Sequence, residues 1–427
     1  MHLFRQPPVR AALTLLVTLA VVGLSVLALT SEARAQTIIY VKSDAPGSGD
    51  GTSWNDAFAH LNDALAIAVA GDQVWVAVGT YHPDQGSGQT DNDRAATFQL
   101  PVGVAIYGGF EGNETPDFDL ADRDFDSFET ILSGDINGSG NLDGNSYSVV
   151  TGSDTSDSTI LDGFTITAGN ADGSSGSQRN GGGLFNQDGS PRLTNLNIVG
   201  NRADGSGGGM RNVASSPSLS NITFSGNNAV TGGGMANANS SSPSLGNVTL
   251  SNNMASTIGG GMHNNSSSAP TLNNVTFSNN TAGNGGGGML NSTDSVPTLI
   301  NTLIAGNMAS SFTDISGSVN SASRHNLIGV GTGLSGISDG TNGNLIGDGI
   351  DPIDPLIGAL SDNGGFGQTH PLLPDSPAIG AGSNDDCLER DQRGLTRPQG
   401  EQCDIGAFEF EIIEDKIFSD RFSADKD

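Results

Sequence analysis

A unit that recurs every 26 or 27 residues through the middle of the chain restricts the folds open to it. Five copies align. The first opens on Gly181-Gly182-Gly183 and runs to Asn186; its relatives end in Met210-Arg211-Asn212, Met235-Ala236-Asn237, Met262-His263-Asn264 and Met289-Leu290-Asn291. A proline follows in each copy (Pro191, Pro217, Pro243, Pro270, Pro297), with a leucine two residues on (Leu193, Leu219, Leu245, Leu272, Leu299). An asparagine sits two further on (Asn195, Asn221, Asn247, Asn274, Asn301), and another closes each copy (Asn201, Asn227, Asn253, Asn280, Asn307).

These runs are too short, and too rich in Gly, Ser, Thr and Asn, for helices. Each copy offers short strands separated by turn residues. No copy can bury its few apolar side chains alone, but stacked copies can. Met210, Leu219, Ile222 and Phe224 would then lie about 4.8 Å beneath Met235, Leu245, Val248 and Leu250. The pattern predicts an all-β, right-handed parallel β-helix. Asparagine tolerates left-handed backbone and bonds nearby backbone groups, so its columns suit a turn repeated in every coil, and stacked amides can bond one another. The glycine triplets allow positive φ and close packing. Asn221, Asn247 and Asn274 also match glycosylation sequons, but the repeat already accounts for them.

The GGGM segments and the Phe224-to-Asn227 and Phe277-to-Asn280 elements resemble the paired glycine-rich and Phe-x-x-Asn motifs of polymorphic outer-membrane proteins, which are surface β-helix passengers. Upstream, Tyr40, Gly79-Thr80-Tyr81 and Tyr107-Gly108-Gly109-Phe110 resemble the opening coils of pectate-lyase-like β-helix proteins. Downstream, Asn326 to Gly329, Asp354-Pro355-Leu356, Asp362 to Gly365, Thr369 to Leu373, Ser376 to Ile379, Asp391 to Gly394, Arg397-Pro398 and Cys403 to Glu409 resemble the choice-of-anchor Q domain of bacterial surface proteins. That resemblance implies a surface location and no particular activity.

Between Asp56 and Ala70, the residues Ala57, Phe58, Leu61, Ala64, Leu65 and Ala68 recur at helical spacing. Ser53 or Asn55 is placed to cap this helix and Gly71 to end it, so it is expected to plug the open N-terminal end of the β-helix. Val74 to Val78 reads as a buried strand.

Residues 1–35 read as a signal peptide: Arg5 and Arg10 are followed by the uncharged run Ala11 to Leu29 and by the small-x-small site Ala33-Arg34-Ala35. A retained membrane anchor is the alternative. Cys387 and Cys403 are the two cysteines, and in an exported chain they read as one disulfide, with two free thiols as the alternative. Seventeen basic residues against 46 acidic ones argue against a nucleic-acid partner.

The regular repeats carry few charges: Asp188, Asp204 and Asp294 against Arg192, Arg202 and Arg211, with one histidine, His263. His263 occupies the position held by Arg211, Ala236 and Leu290, which suggests a solvent-facing column. Acids crowd a loop further upstream, where Glu111, Glu114, Asp117, Asp119, Asp122, Asp124, Asp126 and Glu129 accompany Arg123 alone; this reads as a solvated loop. Asp135, Asn137, Ser139, Asn141 and Asp143 follow the spacing of a calcium loop, but Ser146 stands where a bidentate Glu is expected, so calcium would be at most structural. No Gly-x-Ser-x-Gly elbow occurs, and His370, beside Pro371 and Pro374, reads as part of a structural turn.

The organisation expected is a signal peptide (1–35), a capping helix with irregular coils (36–180), regular repeats (181–310), terminal coils with the choice-of-anchor-like region (311–410) and an acidic tail (411–427). The functional expectation is an extracytoplasmic, secreted or cell-surface scaffold with no catalytic, cofactor-binding or metal residues. Its partners would be surface polysaccharide or another cell-surface protein. The competing reading is a polysaccharide lyase or hydrolase with its site in the N-terminal coils.

Overall fold

The structure is a computed structural model that describes residues 36–411; the expected signal peptide and most of the acidic tail lie outside the described residues. Parallel strands stack coil upon coil from Ile38–Val41 to Leu345–Ile346 and form three sheets of 14, 9 and 6 strands among the described residues. The fold is a right-handed parallel β-helix. Within the repeats, each coil gives one strand to each sheet, as in Met210–Val213, Ser218–Ser225 and Asn228–Thr231.

The register is the one the repeat dictates. Met210 pairs with Met235, Leu219 with Leu245, Ile222 with Val248, and Phe224 with Leu250. These side chains fill one continuous core of stacked like residues. Ala171, Ala203 and Ala229 form a separate small ladder beneath the third sheet.

The asparagine at the centre of each long strand has left-handed backbone, with φ of 47, 55, 53, 54 and 46° at Asn195, Asn221, Asn247, Asn274 and Asn301. In the first four copies it bends the strand of the first sheet in place and does not end it; at Asn301 the strand breaks into Thr298–Ile300 and Leu303–Ile304. In the glycine triplets only the first residue turns left-handed, for example Gly232 at φ 62°. The third packs without room for a side chain, since a Cβ on Gly234 would lie 2.6 Å from the Gly261 carbonyl oxygen.

The closing asparagines form a buried, directed ladder. Asn201 donates its backbone N–H and its Nδ2 to Oδ1 of Asn227, each at 3.1 Å. Asn227, Asn253 and Asn280 repeat this toward Asn253, Asn280 and Asn307. The second Nδ2 proton reaches a carbonyl of the preceding coil, as from Asn253 to Phe224. The ladder ends on Asp314, whose Oδ1 accepts from Asn307 N and Nδ2, both at 2.9 Å, while Oδ2 accepts from Val330 N at 2.8 Å. Burial pushes the Asp314 carboxyl above the usual range.

The capping helix is shorter than the spacing predicts, Leu61–Ile67, and His60 occupies its N-cap without a side-chain bond. Phe58 has been drawn away from it: its N–H donates to Tyr40, its carbonyl accepts from Lys42, and it bridges Val41 as an added strand position. Ser53 instead bonds Asp56 in a preceding turn. Gly71, at φ 95°, lies beyond the helix end. Leu61, Ala64 and Leu65 are buried against Ile39, Val41, Val74 and Val76, so the helix does cover the N-terminal end of the core. Among the described residues, no helix is long and apolar enough to cross a membrane.

Asn247→Leu should destabilise the protein by about 1–3 kcal/mol, because it removes the Nδ2 bond to the Arg390 carbonyl and forces a leucine into left-handed backbone. Ser244→Ala, at an exposed neighbour, should change stability little. Thermal melts of the two variants check this, and equal midpoints would contradict it.

Candidate functional site

The outward face of the first sheet is a wall of Ser, Thr and Asn. The C-terminal segment folds back across it and is bonded to it coil by coil. Thr223 donates to the Gln368 carbonyl, Asn247 to Arg390 and Asn273 to Asp386, each at 2.8 Å. Asn274 reaches the carbonyls of Asp404 and Gly406, and Thr276 accepts from Ala407 N. Gln392 bridges Thr223 and Thr249. Asn301 exchanges bonds with Ser383.

His370 is a clasp between the two layers. Its Nδ1 lies 2.8 Å from the Gly358 carbonyl and its Nε2 lies 2.9 Å from Ser251 Oγ. A carbonyl can only accept, so the ring carries its proton on Nδ1, and the Ser251 hydroxyl donates to Nε2. Burial pushes the His370 pKa down. This serine–histidine pair is enclosed, with His370 3% exposed and Ser251 0%, so it has no access to a substrate.

The segment has its own charged centre. Arg397 and Glu409 pair at 3.1 Å with side chains 0% and 1% exposed. Arg393 pairs with Asp391 and lies 3.5 Å above the Phe408 ring. Cys387 and Cys403 are joined as a disulfide with Cα atoms 6.3 Å apart, closing the loop that carries Arg390 and Gln392 onto the sheet.

Where this segment meets the N-terminal acidic loop, it leaves a cleft of about 290 Å³ lined by Phe125, Asp126, Glu129, Asn197, Asp362, Phe366 and Gly367. A second hollow of about 240 Å³ continues from Glu129 and Asn197 over Thr165, Thr223 and Gln368. The Phe125 and Phe366 rings meet at 4.9 Å and form an aromatic wall. Thr165 donates to Glu129 at 2.7 Å. Burial, then the carboxylates of Asp362 and Asp124, pushes the Asp126 carboxyl above its ordinary range. No basic side chain lines either hollow. A comparable hollow at Thr97, Tyr147 and Phe185 is lined by hydroxyl and amide groups and by no carboxylate.

The acidic loop is solvated, as its composition suggests, but Arg123 does not serve its acids. Arg123 pairs with Asp162 at 2.9 Å and lies over the rings of Phe125 and Tyr107. The acids are occupied with their own turns: Glu114 accepts from the backbone of Glu111, Gly112 and Asn113, and Asp124 accepts from Ser127. Asp135 likewise bonds the amides of Ser139 and Gly140, Asn141 bonds Asp143, and Ser146 is buried outside the loop. No grouping of three metal-ligating side chains occurs among the described residues.

The expectation that the His263 column faces solvent is wrong. His263 is 7% exposed and Ala236 is 0%, because the glycine turns of each coil fold against this column: a Cβ on Gly259 would lie 2.9 Å from His263 Cβ. The Asp126–Glu129–Asp362 grouping joins parts of the chain more than 200 residues apart, so local spacing carried no signal for it.

No family model matches the chain, and no curated protein matches it. Among solved structures it is similar to pectate lyase Pel9A, with 15% identity, a TM-score of 0.42, and coverage of 88% of this chain and 97% of that one. It is also similar to a rhamnogalacturonan lyase, with 13% identity, a TM-score of 0.35, and coverage of 82% and 97%. At this level neither likeness bears on activity; the fold stands on the strand register.

Two outcomes follow from the clasp. A histidine whose folded pKa is depressed gives stability that is full above its unfolded value of about 6.5 and is lost as pH falls below it. The stability difference between the native protein and His370→Gln should therefore shrink between about pH 7 and pH 5, as read by melts across pH. A constant difference would show that His370 does not titrate in that range. Peptide mapping without reductant should recover Cys387 linked to Cys403, and reduction should destabilise the protein by about 2–4 kcal/mol.

Proposed function

We propose that this protein is an extracytoplasmic scaffold, secreted or held at the cell surface, that binds polymers or other surface proteins without catalysing a reaction. The observation that carries this reading is the clasp. The polar face that could receive an extended ligand across several coils is filled by the chain's own C-terminal segment, bonded from Thr223 to Asn301. The glycine-rich and Phe-x-x-Asn repeats and the choice-of-anchor-like motifs support a surface location. On this reading, the hollow beside Phe125 and Phe366 is the contact point for a neutral sugar, with the rings as a stacking surface and Glu129, Asn197 and Asp362 as hydrogen-bonding groups.

A second reading is favoured by one feature of the same hollow. Asp126, with a raised pKa, and the nearby Glu129 are the types of group a glycoside hydrolase pairs as acid and base. A lyase acting on polyuronates is disfavoured, because the cleft presents carboxylates and no base cation.

The purified protein should release no unsaturated products or reducing ends from pectin, alginate or neutral polysaccharides, with or without calcium, and should be retained on a neutral polysaccharide column. Turnover that survives repurification and is lost in Asp126→Asn or Glu129→Gln would establish the hydrolase reading instead.

A further inference from the structure

The N-terminal coils give the second sheet the parallel strands Phe98–Gln99, Val150–Thr151 and Leu184–Gln187. Side chains alternate across a strand. Phe98, Val150 and Leu184 are in the core, so Gln99, Thr151 and Phe185 share the outward face, extended by Thr97 and Ser153. Tyr147 and the turn Gly176–Arg179 stand over this face and enclose a hollow of about 250 Å³. Thr97 also lines a neighbouring hollow of about 300 Å³, which runs over Gln99 to Gln89 and to Asn62 on the capping helix. The two adjoin at Thr97 as one groove, and it opens to solvent, since Ser177, Gln178, Gln89 and Gln99 are exposed.

The groove suits a ligand that is polar but uncharged. Every residue lining either hollow is neutral, in a chain whose formal charge is -29. A cationic ligand finds no carboxylate there, and an anionic one meets no basic group and the repulsion of the whole chain.

One wall is held rigid. The Arg94 guanidinium lies 4.4 Å from the centre of the Tyr147 ring and is itself fixed by Asp172 and by the carbonyls of Asn145 and Asn170. Arg94 does not line the hollow, so the Tyr147 ring meets it on the side that the guanidinium leaves free. Phe185, 8% exposed, closes the floor.

Polar groups with unused capacity surround the two rings. Thr97 Oγ1 lies 3.2 Å from the Val149 carbonyl, which can only accept, so Thr97 donates there. The Thr151 hydroxyl, 2.9 Å from Thr97, then donates to Thr97 and keeps its own lone pairs free. Ser153 Oγ accepts from Gln187 N at 3.0 Å and keeps its proton to donate. The side chains of Tyr147, Ser177 and Gln178 make no hydrogen bond among the described residues. A pyranose ring presents C–H groups on its faces and hydroxyls around its rim, which matches aromatic rings set among free donors and acceptors.

We propose that this groove binds a neutral oligosaccharide, with one pyranose ring packed on Tyr147 and Phe185 and the next continuing past Thr97 toward Gln89 and Asn62. The groove lies on the second sheet, apart from the hollow beside Phe125 and Phe366, and depends neither on that hollow nor on the scaffold reading.

The test titrates the full chain, carrying ring-labelled tyrosine, with cellobiose, lactose, mannobiose and digalacturonate, and follows the tyrosine signals by NMR. The four tyrosines separate the sites. Tyr147 lines this groove, whereas Tyr107 is linked to the other hollow through Arg123 and Phe125. At least one neutral disaccharide should shift the Tyr147 signals saturably, and digalacturonate should bind about tenfold more weakly or worse. Ser177→Trp puts a bulky ring into the groove from an exposed position whose side chain the fold does not use; it should abolish the shift with an unchanged far-ultraviolet spectrum. Tyr147→Ala should weaken binding by about tenfold, read by calorimetry. No saturable Tyr147 shift with any neutral sugar, a shift unaltered in Ser177→Trp, or equal affinity for digalacturonate would overturn the proposal. A shift at Tyr107 alone would overturn it as well, while leaving the scaffold reading standing.

Discussion

Each coil of this protein has too little apolar surface to hold itself together, so everything depends on coils satisfying one another's polar groups in the interior. The ladder from Asn201 to Asn307 shows the constraint most clearly. An amide has a donor end and an acceptor end, so a stack of amides has a direction and needs a terminal acceptor. Asp314 meets that need: one carboxylate oxygen takes both bonds from Asn307, and the other takes the Val330 amide. A carboxylate can accept at every one of these contacts, whereas an amide would have to present its NH₂ to one of three N–H donors. The buried acid therefore sits where the ladder's direction requires it, although burial disfavours its charge.

The first sheet applies the same economy on the outside. Its central asparagines bend the strand through left-handed backbone, which aims their side chains outward, and the C-terminal segment uses those amides as anchor points. Asn247, Asn274 and Asn301 each reach a carbonyl of that segment. One residue type thus shapes the coil and recruits the layer that covers it. The three sequons fall at this same position, and Asn247 and Asn274 are buried beneath the covering layer.

What could be read in the sequence follows from this. A register repeated at 26 or 27 residues makes equivalent positions touch, so the core ladders, the asparagine columns and the tight glycines were legible from spacing alone. The helix boundary was not, because Phe58 had a competing partner in Tyr40, far along the chain. The burial of His263 was not legible either. Variation among Arg, Ala, His and Leu suggested solvent, yet the column is walled by glycine turns, whose closeness depends on backbone path rather than residue type. The cleft formed by Asp126, Glu129 and Asp362 depends on a fold-back of the chain that no local pattern encodes.

The placement of charge separates what serves the fold from what does not. The buried Arg397–Glu409 pair neutralises itself within the C-terminal segment, and the Arg123–Asp162 pair ties the acidic loop to the first sheet. Such pairs add little net stability but penalise any arrangement that separates them, and so specify how the segments dock. Arg211 has no such account. It occupies a column where the same repeat elsewhere places Phe, Ala, His and Leu, so the coil does not need a guanidinium there. A recessed charge that the fold neither requires nor neutralises is an unfavourable feature of the free protein.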